Sequence, residues 1–253
     1  MSNVIPLFKS HYSIGKSILT LEEAGSSTQN GSNSIIDICV NNGLKELFLV
    51  DNSMGGFLEG YLNAKAAGIR FRFGLRISVS TTKEKDEDSL GKTSKYIIFA
   101  KNRAGYQKLI KIYTFAAKEG FYYEPRIDFD TLKEFWSEED LTLGVPFYDS
   151  FLHLNSLKGS LNIPDFNFCK PLFFYEENDI PFNFIIKKHI DKYCKDKYEI
   201  LKAKSIYYHK KEDFKAFLSF RCISERTCLD KPNLEHMTSN EFSFENWKEQ
   251  SNG

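Results

Sequence analysis

The chain has 253 residues, of which 42% are hydrophobic and 15% aromatic, enough apolar material for one large core and too much for a disordered polymer. Its 34 lysines and arginines balance 34 aspartates and glutamates, which excludes a bulk attraction to nucleic acid or acidic membrane while leaving local patches open. Five cysteines (Cys39, Cys169, Cys194, Cys222 and Cys228) without Cys-x-x-Cys spacing argue against a disulfide framework or a zinc cage.

Residues 1–6 have no basic stretch leading into an apolar run, and no apolar run approaches the roughly 18 residues that span a bilayer. A soluble, cytoplasmic chain with no membrane contact is expected. Residues 25–34 read as a flexible loop rich in glycine and polar residues. Residues 47–50 are a short apolar run suited to a buried strand. Residues 57–67 predict a helix closed by Gly68, and 69–80 a strand. Residues 81–94, with their run of lysines and acids, predict a second flexible loop. A strand follows at 96–100, then a helix at 106–117 with Leu109, Ile110, Ile112, Tyr113 and Phe115 at apolar positions. Residues 171–175 predict a strand, 182–193 a helix and 199–208 an extended segment, before a polar tail at 248–253. Strands alternating with helices predict parallel strands covered by helices in one α/β domain spanning 1–253. On pattern alone, an open doubly wound sheet competes with a barrel.

Several motifs narrow that choice. The opening Leu7-Phe8-Lys9-Ser10-His11-Tyr12-Ser13 and the later Phe48-Leu49-Val50-Asp51-Asn52-Ser53-Met54-Gly55 are followed by Ala100-Lys101-Asn102-Arg103-Ala104-Gly105-Tyr106 with Leu109. Then come Glu119-Gly120-Phe121-Tyr122-Tyr123-Glu124-Pro125-Arg126-Ile127-Asp128, Leu229-Asp230-Lys231-Pro232-Asn233, Ser239-Asn240-Glu241-Phe242 and Trp247. In this order they resemble the PHP domain (polymerase and histidinol phosphatase), in the form that opens the α subunit of bacterial DNA polymerase III. The resemblance runs from about Leu7 to Trp247 and implies a distorted (β/α)7 barrel, similar to a TIM barrel.

Active members of that family gather histidines, carboxylates and sometimes a cysteine around two or three metals, which activate water and steady a phosphate. Carried over by position, the His-x-His pair of the first motif falls on Leu7 and Lys9, and the aspartate after it on Lys16. The Asp-His step of the second motif becomes Asp51-Asn52. A glutamate ligand falls on Arg76, and a late aspartate and histidine on Ser205 and Tyr207, within Lys204-Ser205-Ile206-Tyr207-Tyr208. One further ligand, near Gly144-Val145-Pro146, has no assigned position. The resemblance therefore implies a degenerate site at Leu7, Lys9, Lys16, Asn52, Arg76, Ser205 and Tyr207, with no catalytic residue, no metal and no cofactor. The remaining histidines, His11, His153, His189, His209 and His236, are scattered without ligand spacing.

Lys9, Lys16 and Arg76 bring positive charge to places where a metal would sit, and repel it. With Asp51 they are candidates for salt bridges, Asp51 pairing with Lys9 or Arg76, or for binding a phosphate or nucleic-acid backbone. A second basic stretch (Lys187, Lys188, Lys192, Lys195, Lys197, Lys202, Lys204, Lys210 and Lys211), interleaved with tyrosines, reads as a solvated face or a weak DNA contact. Nucleotide-binding loops and the nucleophile elbow are missing. Polymerase chemistry needs paired aspartates, which in this family lie in a palm C-terminal to the PHP segment. The function expected is a catalytically inactive PHP scaffold that docks partners in DNA replication, either the polymerase core (palm or thumb) or the proofreading exonuclease subunit. The alternatives are a metal-dependent phosphoesterase or 3′–5′ exonuclease with a rebuilt site, and a nucleic-acid-binding module.

Overall fold

Short apolar runs become strands and the intervening amphipathic segments become helices, as the alternation predicts. In the computed structural model, residues 4–27, 31–230 and 236–252 are described. Strand β1 (Ile5–Phe8) is followed by helix α1 (Ile35–Asn41), β2 (Glu46–Asp51), α2 (Phe57–Ala66) and β3 (Arg70–Ser80). Next come α3 (Glu87–Leu90), β4 (Thr93–Ala100), α4 (Arg103–Ala117), β5 (Arg126–Asp128), α5 (Phe129–Phe135), β6 (Leu141–Val145) and α6 (Phe151–Leu157). Strand β7 (Leu172–Tyr175), α7 (Asn183–Cys194), β8 (Ile200–Ile206), α8 (Phe214–Glu225) and α9 (Phe244–Asn252) complete the order. The motif residues Lys231, Pro232 and Asn233 and loop residues 28–30 lie outside the described residues.

The hydrogen-bonded strand order is β2-β1-β8-β7-β6-β4-β3-β5, and an additional β2–β3 pairing returns it to its start. Seven strands thus close on themselves with β5 as an extra strand, which is the α/β barrel topology and not the open doubly wound sheet. Not every neighbour is parallel, however. Strand β4 runs antiparallel to both β3 and β6. The physical reason is the connection: between β3 and β4 the chain spans only residues 81–92 with the four-residue α3, whereas a parallel return normally needs a full crossover.

The chain divides into two compact units. The first holds the described residues of Met1–Phe73, Glu176–Ile180 and Lys202–Gly253. Here β1 pairs in parallel with β2 (Leu7↔Phe48, Phe8↔Leu49) and with β8, from Ile5↔Ala203 to Phe8↔Ile206. Phe8, Leu19, Leu49, Phe217, Phe242 and Phe244 are fully buried in this unit. Ser34 caps α1, its side chain accepting from the Ile36 and Asp37 amides, and Trp247 Nε1 donates to the Val4 carbonyl at 2.9 Å. Within the described residues, the polar tail after Trp247 continues α9 as far as Asn252.

The second unit holds Gly74–Tyr175 and Pro181–Leu201. Helix α4 begins at Arg103, three residues before its apolar periodicity does, because the Asn102 side chain accepts from the Gly105 amide at 2.9 Å. The charged run 81–94 carries α3, capped by Asp86, and the Glu84 carbonyl accepts from the buried Arg126 guanidinium. Two motif glycines are required by close backbone approach. A Cβ on Gly105 would lie 2.2 Å from the Asp140 carbonyl oxygen, and one on Gly120 would lie 1.9 Å from that of Arg126. Backbone cannot retreat as a flexible side chain can. Gly105→Ala and Gly120→Ala are each expected to lower unfolding free energy by about 1–3 kcal/mol. Gly91→Ala, whose Cβ would sit 3.6 Å from the Asp88 oxygen, is the control. Denaturant titration of the three variants checks this, and equal midpoints would contradict the packing argument.

Candidate functional site

Where β1 and β2 end, in the first unit, the chain buries a carboxylate. Asp51 is 0% exposed. Its Oδ1 accepts from the Ser10 amide at 2.9 Å and the Ser13 hydroxyl at 2.7 Å, and its Oδ2 from the Ser10 hydroxyl at 2.5 Å. Ser13 Oγ in turn accepts from the Asn52 amide at 3.0 Å. Lys9, also buried, sends its ammonium to the Val50 carbonyl at 2.9 Å and to Asn52 Oδ1 at 3.0 Å. Burial pushes the Asp51 carboxyl above its ordinary value, while the Lys9 charge and the Ser10 and Ser13 hydrogen bonds pull it back.

At Asp51 the hydrogen bonds come from serine hydroxyls and a backbone amide, with the Lys9 charge acting alongside them. Short hydroxyls at positions 10 and 13 reach the carboxylate directly, and the Lys9 ammonium acts on it as a charge while bonding to the residues on either side. Arg76, the other expected partner, lies in the second unit and donates to Asp149 Oδ2 at 2.9 Å and the Tyr148 carbonyl at 3.2 Å. Asp149 holds a positive φ of 61°, a backbone conformation that non-glycine residues seldom adopt. Lys16 is a half-exposed partner of Glu225 on α8, at 2.9 Å.

The other assigned positions are filled by packing or by hydrogen bonds. Leu7 is buried in the core. The Tyr207 ring stacks on Phe242 at 4.9 Å and on Phe217 at 5.8 Å. Ser205 donates from its hydroxyl to Glu176 Oε1 at 2.7 Å and from its amide to Glu176 Oε2 at 3.1 Å. Glu176 also accepts from Asn178 at 3.1 Å, and Lys204 bonds to Asn178 and, at 3.2 Å, to Glu241. Burial raises the Glu176 carboxyl. Burial also lowers the Lys204 ammonium, against the opposing charge of Glu241.

Sequence reasoning missed this second network. Glu176 and Asn178 simply follow a strand, and no spacing marks them. Lys204 was grouped with a solvated basic stretch, yet it is 0% exposed, because strand β8 carries it inward. Three of its neighbours in that stretch are paired, Lys202 with Glu177, Lys210 with Glu212 and Lys211 with Glu249, while Lys187 lies 5.1 Å from the Tyr175 ring centroid.

The residues present do not fit the metals that the fold family implies. An alkyl chain, an ammonium and a guanidinium at 7, 9 and 76 offer no lone pair to a metal. Asn52 Oδ1 is engaged by Lys9, and the Ser205 hydroxyl by Glu176. Among the described residues, no group of three or more His, Cys, Asp or Glu is arranged to hold a metal ion.

Asp51→Ala would strand the Ser10 and Ser13 donors and remove the countercharge of Lys9, and is expected to cost about 3–5 kcal/mol in denaturant titration. Asp51→Asn tests the sign of the titration. A carboxyl raised in the folded state contributes stability that is complete below the unfolded value and is lost as pH rises through the folded value. The advantage of wild type over Asp51→Asn, which cannot titrate, is therefore expected to shrink as the pH rises above about 4. An advantage that grows over this range would mean that the site favours the charged form.

Comparison with known proteins places this geometry. The PHP domain family description matches residues 9–162. The DNA polymerase III subunit alpha of Borreliella burgdorferi is 38% identical over 96 residues, 36% of this chain and 8% of the relative. That of Aquifex aeolicus is 33% identical over 132 residues, 46% of this chain and 11% of the relative. That of Helicobacter pylori is 31% identical over 93 residues, 36% of this chain and 8% of the relative. The matched segment spans about a tenth of these relatives. Among the described residues, no helix is long and apolar enough to cross a membrane. With more than half of its length matched, and with the barrel topology that goes with it, the chain belongs to the PHP domain family and is related to the α subunit of DNA polymerase III.

Proposed function

We propose that this chain is a PHP domain without hydrolytic activity, acting in the cytoplasm as a scaffold and docking domain in DNA replication. The observation that carries the reading is Lys9, whose ammonium is seated between the Val50 carbonyl and Asn52 Oδ1 where the family's first two motifs would supply metal ligands. A fixed positive charge there opposes metal entry. It also removes the means of activating water for attack on a phosphate. Asp51 is held by serine hydroxyls and by the Ser10 amide, which suits a structural carboxylate more than a ligand or a base.

The partners proposed are the palm or thumb of the polymerase core, or the proofreading exonuclease subunit, as the relation to DNA polymerase III subunit alpha supports. The charge balance of 34 to 34 favours a protein partner over DNA, because phosphate binding needs a concentrated basic surface. The ion pairs of Lys202, Lys210 and Lys211 weaken one basic feature that could supply it, and those of Lys16 and Arg76 weaken the other.

Two measurements test the reading. Purified protein is expected to carry less than about one tenth of an equivalent of Mn, Zn or Fe, and to leave single-stranded DNA intact when these ions are added. A stoichiometric metal, or metal-dependent cleavage that survives repurification, would establish the rebuilt phosphoesterase instead. In a binding comparison at physiological salt, the cognate polymerase fragment is expected to bind at least about tenfold more tightly than single- or double-stranded DNA. Submicromolar DNA binding with a steep salt dependence, alongside no protein partner, would favour the nucleic-acid-binding module.

A further inference from the structure

The residues at the ends of β1 and β2 depart from a metal site in a specific way. Three groups surround the Lys9 ammonium: the Val50 carbonyl oxygen and Asn52 Oδ1, which converge on it, and the buried Asp51 carboxylate, which lies near enough to interact with its charge. The first two bond to Lys9 Nζ at 2.9 and 3.0 Å, and the third feels its charge. Converging oxygens around a buried point are what a cation requires, and an ammonium with three N–H donors meets the same demand as a metal. Lys9 is only 5% exposed, so protein oxygens take over most of what water would supply to its ammonium. We propose that Lys9 is a tethered replacement for the family's metal ion, and that Asn52 is its matched acceptor: position 9 brings the cation and position 52 the oxygen that receives it. This rests on the metal-free reading above and adds to it the identity of the group that took over the structural work. The two changes are thus one paired change.

The test uses the full chain and its thermal melting. Lys9→Ala removes the ammonium and leaves an open channel, whereas Lys9→Met removes the charge and fills the channel. Both are expected to melt about 4 °C or more below wild type, as a loss of one or two kcal/mol does in a chain of this size. Methylammonium chloride, a small cation with three N–H donors, is expected to recover at least half of that loss in Lys9→Ala and none in Lys9→Met. Tetramethylammonium chloride at the same concentration, which has no N–H, is expected to recover neither. Variants melting within about 1 °C of wild type, or equal recovery by the two salts, would overturn the proposal.

If Lys9→Ala does not fold, Asn52 carries the test. Asn52→Leu keeps the lysine and removes its acceptor, so it is expected to melt below wild type, while Asn52→Asp, which keeps an oxygen there, is expected to melt at or above it. An Asn52→Leu variant as stable as wild type would also overturn the proposal. Metal content measured on the same wild-type preparation separates the two readings. Bound metal in the wild type would remove the metal-free reading itself. A metal-free wild type whose variants are indifferent would remove only the tethered cation.

Discussion

A carboxylate kept wholly out of water constrains everything around it. Asp51 closes β2 at 0% exposure, and an unpaired charge in such a place would cost several kcal/mol. The cost is offset by donors brought from the segment that follows β1: Ser10 supplies two and Ser13 a third. That arrangement dictates the path of the chain after β1, because positions 10 and 13 must both turn toward the end of β2. Ser13 then relays the constraint by accepting from the Asn52 amide, and Asn52 relays it again by accepting from Lys9. The end of one strand and the end of its neighbour are thereby locked through five side chains, with the β1–β2 register of Leu7↔Phe48 and Phe8↔Leu49 beneath them.

A second buried carboxylate repeats the logic in the same unit with different residues. Glu176 follows β7 and is closed by Ser205 and Asn178, and Lys204 supplies the nearby positive charge while bonding to Asn178 and Glu241. In both places a serine satisfies the carboxylate directly, and a lysine compensates for it from one residue away in sequence: Lys9 precedes Ser10, and Lys204 precedes Ser205. The lysine reaches carbonyl or amide oxygens on the acidic strand's flank in each case. Burial raises the two carboxyls and lowers the Lys204 ammonium, so neither network is insensitive to pH.

What the sequence revealed and what it hid follow from the range of the forces involved. Helix α2 and strand β3 were legible because Gly68, at a φ of +70°, punctuates them and the apolar periodicity is local. The same holds for β4, α4 and α7. The antiparallel direction of β4 was not legible, since nothing in its own residues distinguishes it from a parallel strand; only the shortness of the 81–92 connection does. Short elements such as β5, with three residues, and β6, with five, carry too few positions to show a period. At the site, the family resemblance singled out Lys9, Asn52 and Arg76 by position. It did not identify the partners of Arg76, Ser205 and Lys204. Asp149, Glu176 and Glu241 lie 73, 29 and 37 residues from the groups they meet, and a contact at that separation leaves no trace in a local pattern.

The motifs that survive and those that changed separate along the same line. Gly105 and Gly120 lie in the recognisable elements and are held there by backbone oxygens about 2 Å from any added Cβ, a requirement of packing that does not depend on chemistry at the strand ends. Arg126, in the same element as Gly120, is buried and bonded to Ser89 at 2.8 Å, with its guanidinium 4.8 Å from the Tyr122 ring centroid, so it too answers to packing. The positions aligned with the family's metal ligands are filled in several ways: Leu7 and Tyr207 by packing, Lys9 and Asn52 beside the buried Asp51, and Arg76 by its pair with Asp149. Buried oxygens stay close to one another only where a positive group stands among them. Lysine at 9 supplies one where Asp51 is buried, and arginine at 76 supplies one for Asp149. The packing of these glycines and of Arg126 is thus set apart from the buried charges near the ends of β1 and β2, and the barrel topology rests on the former.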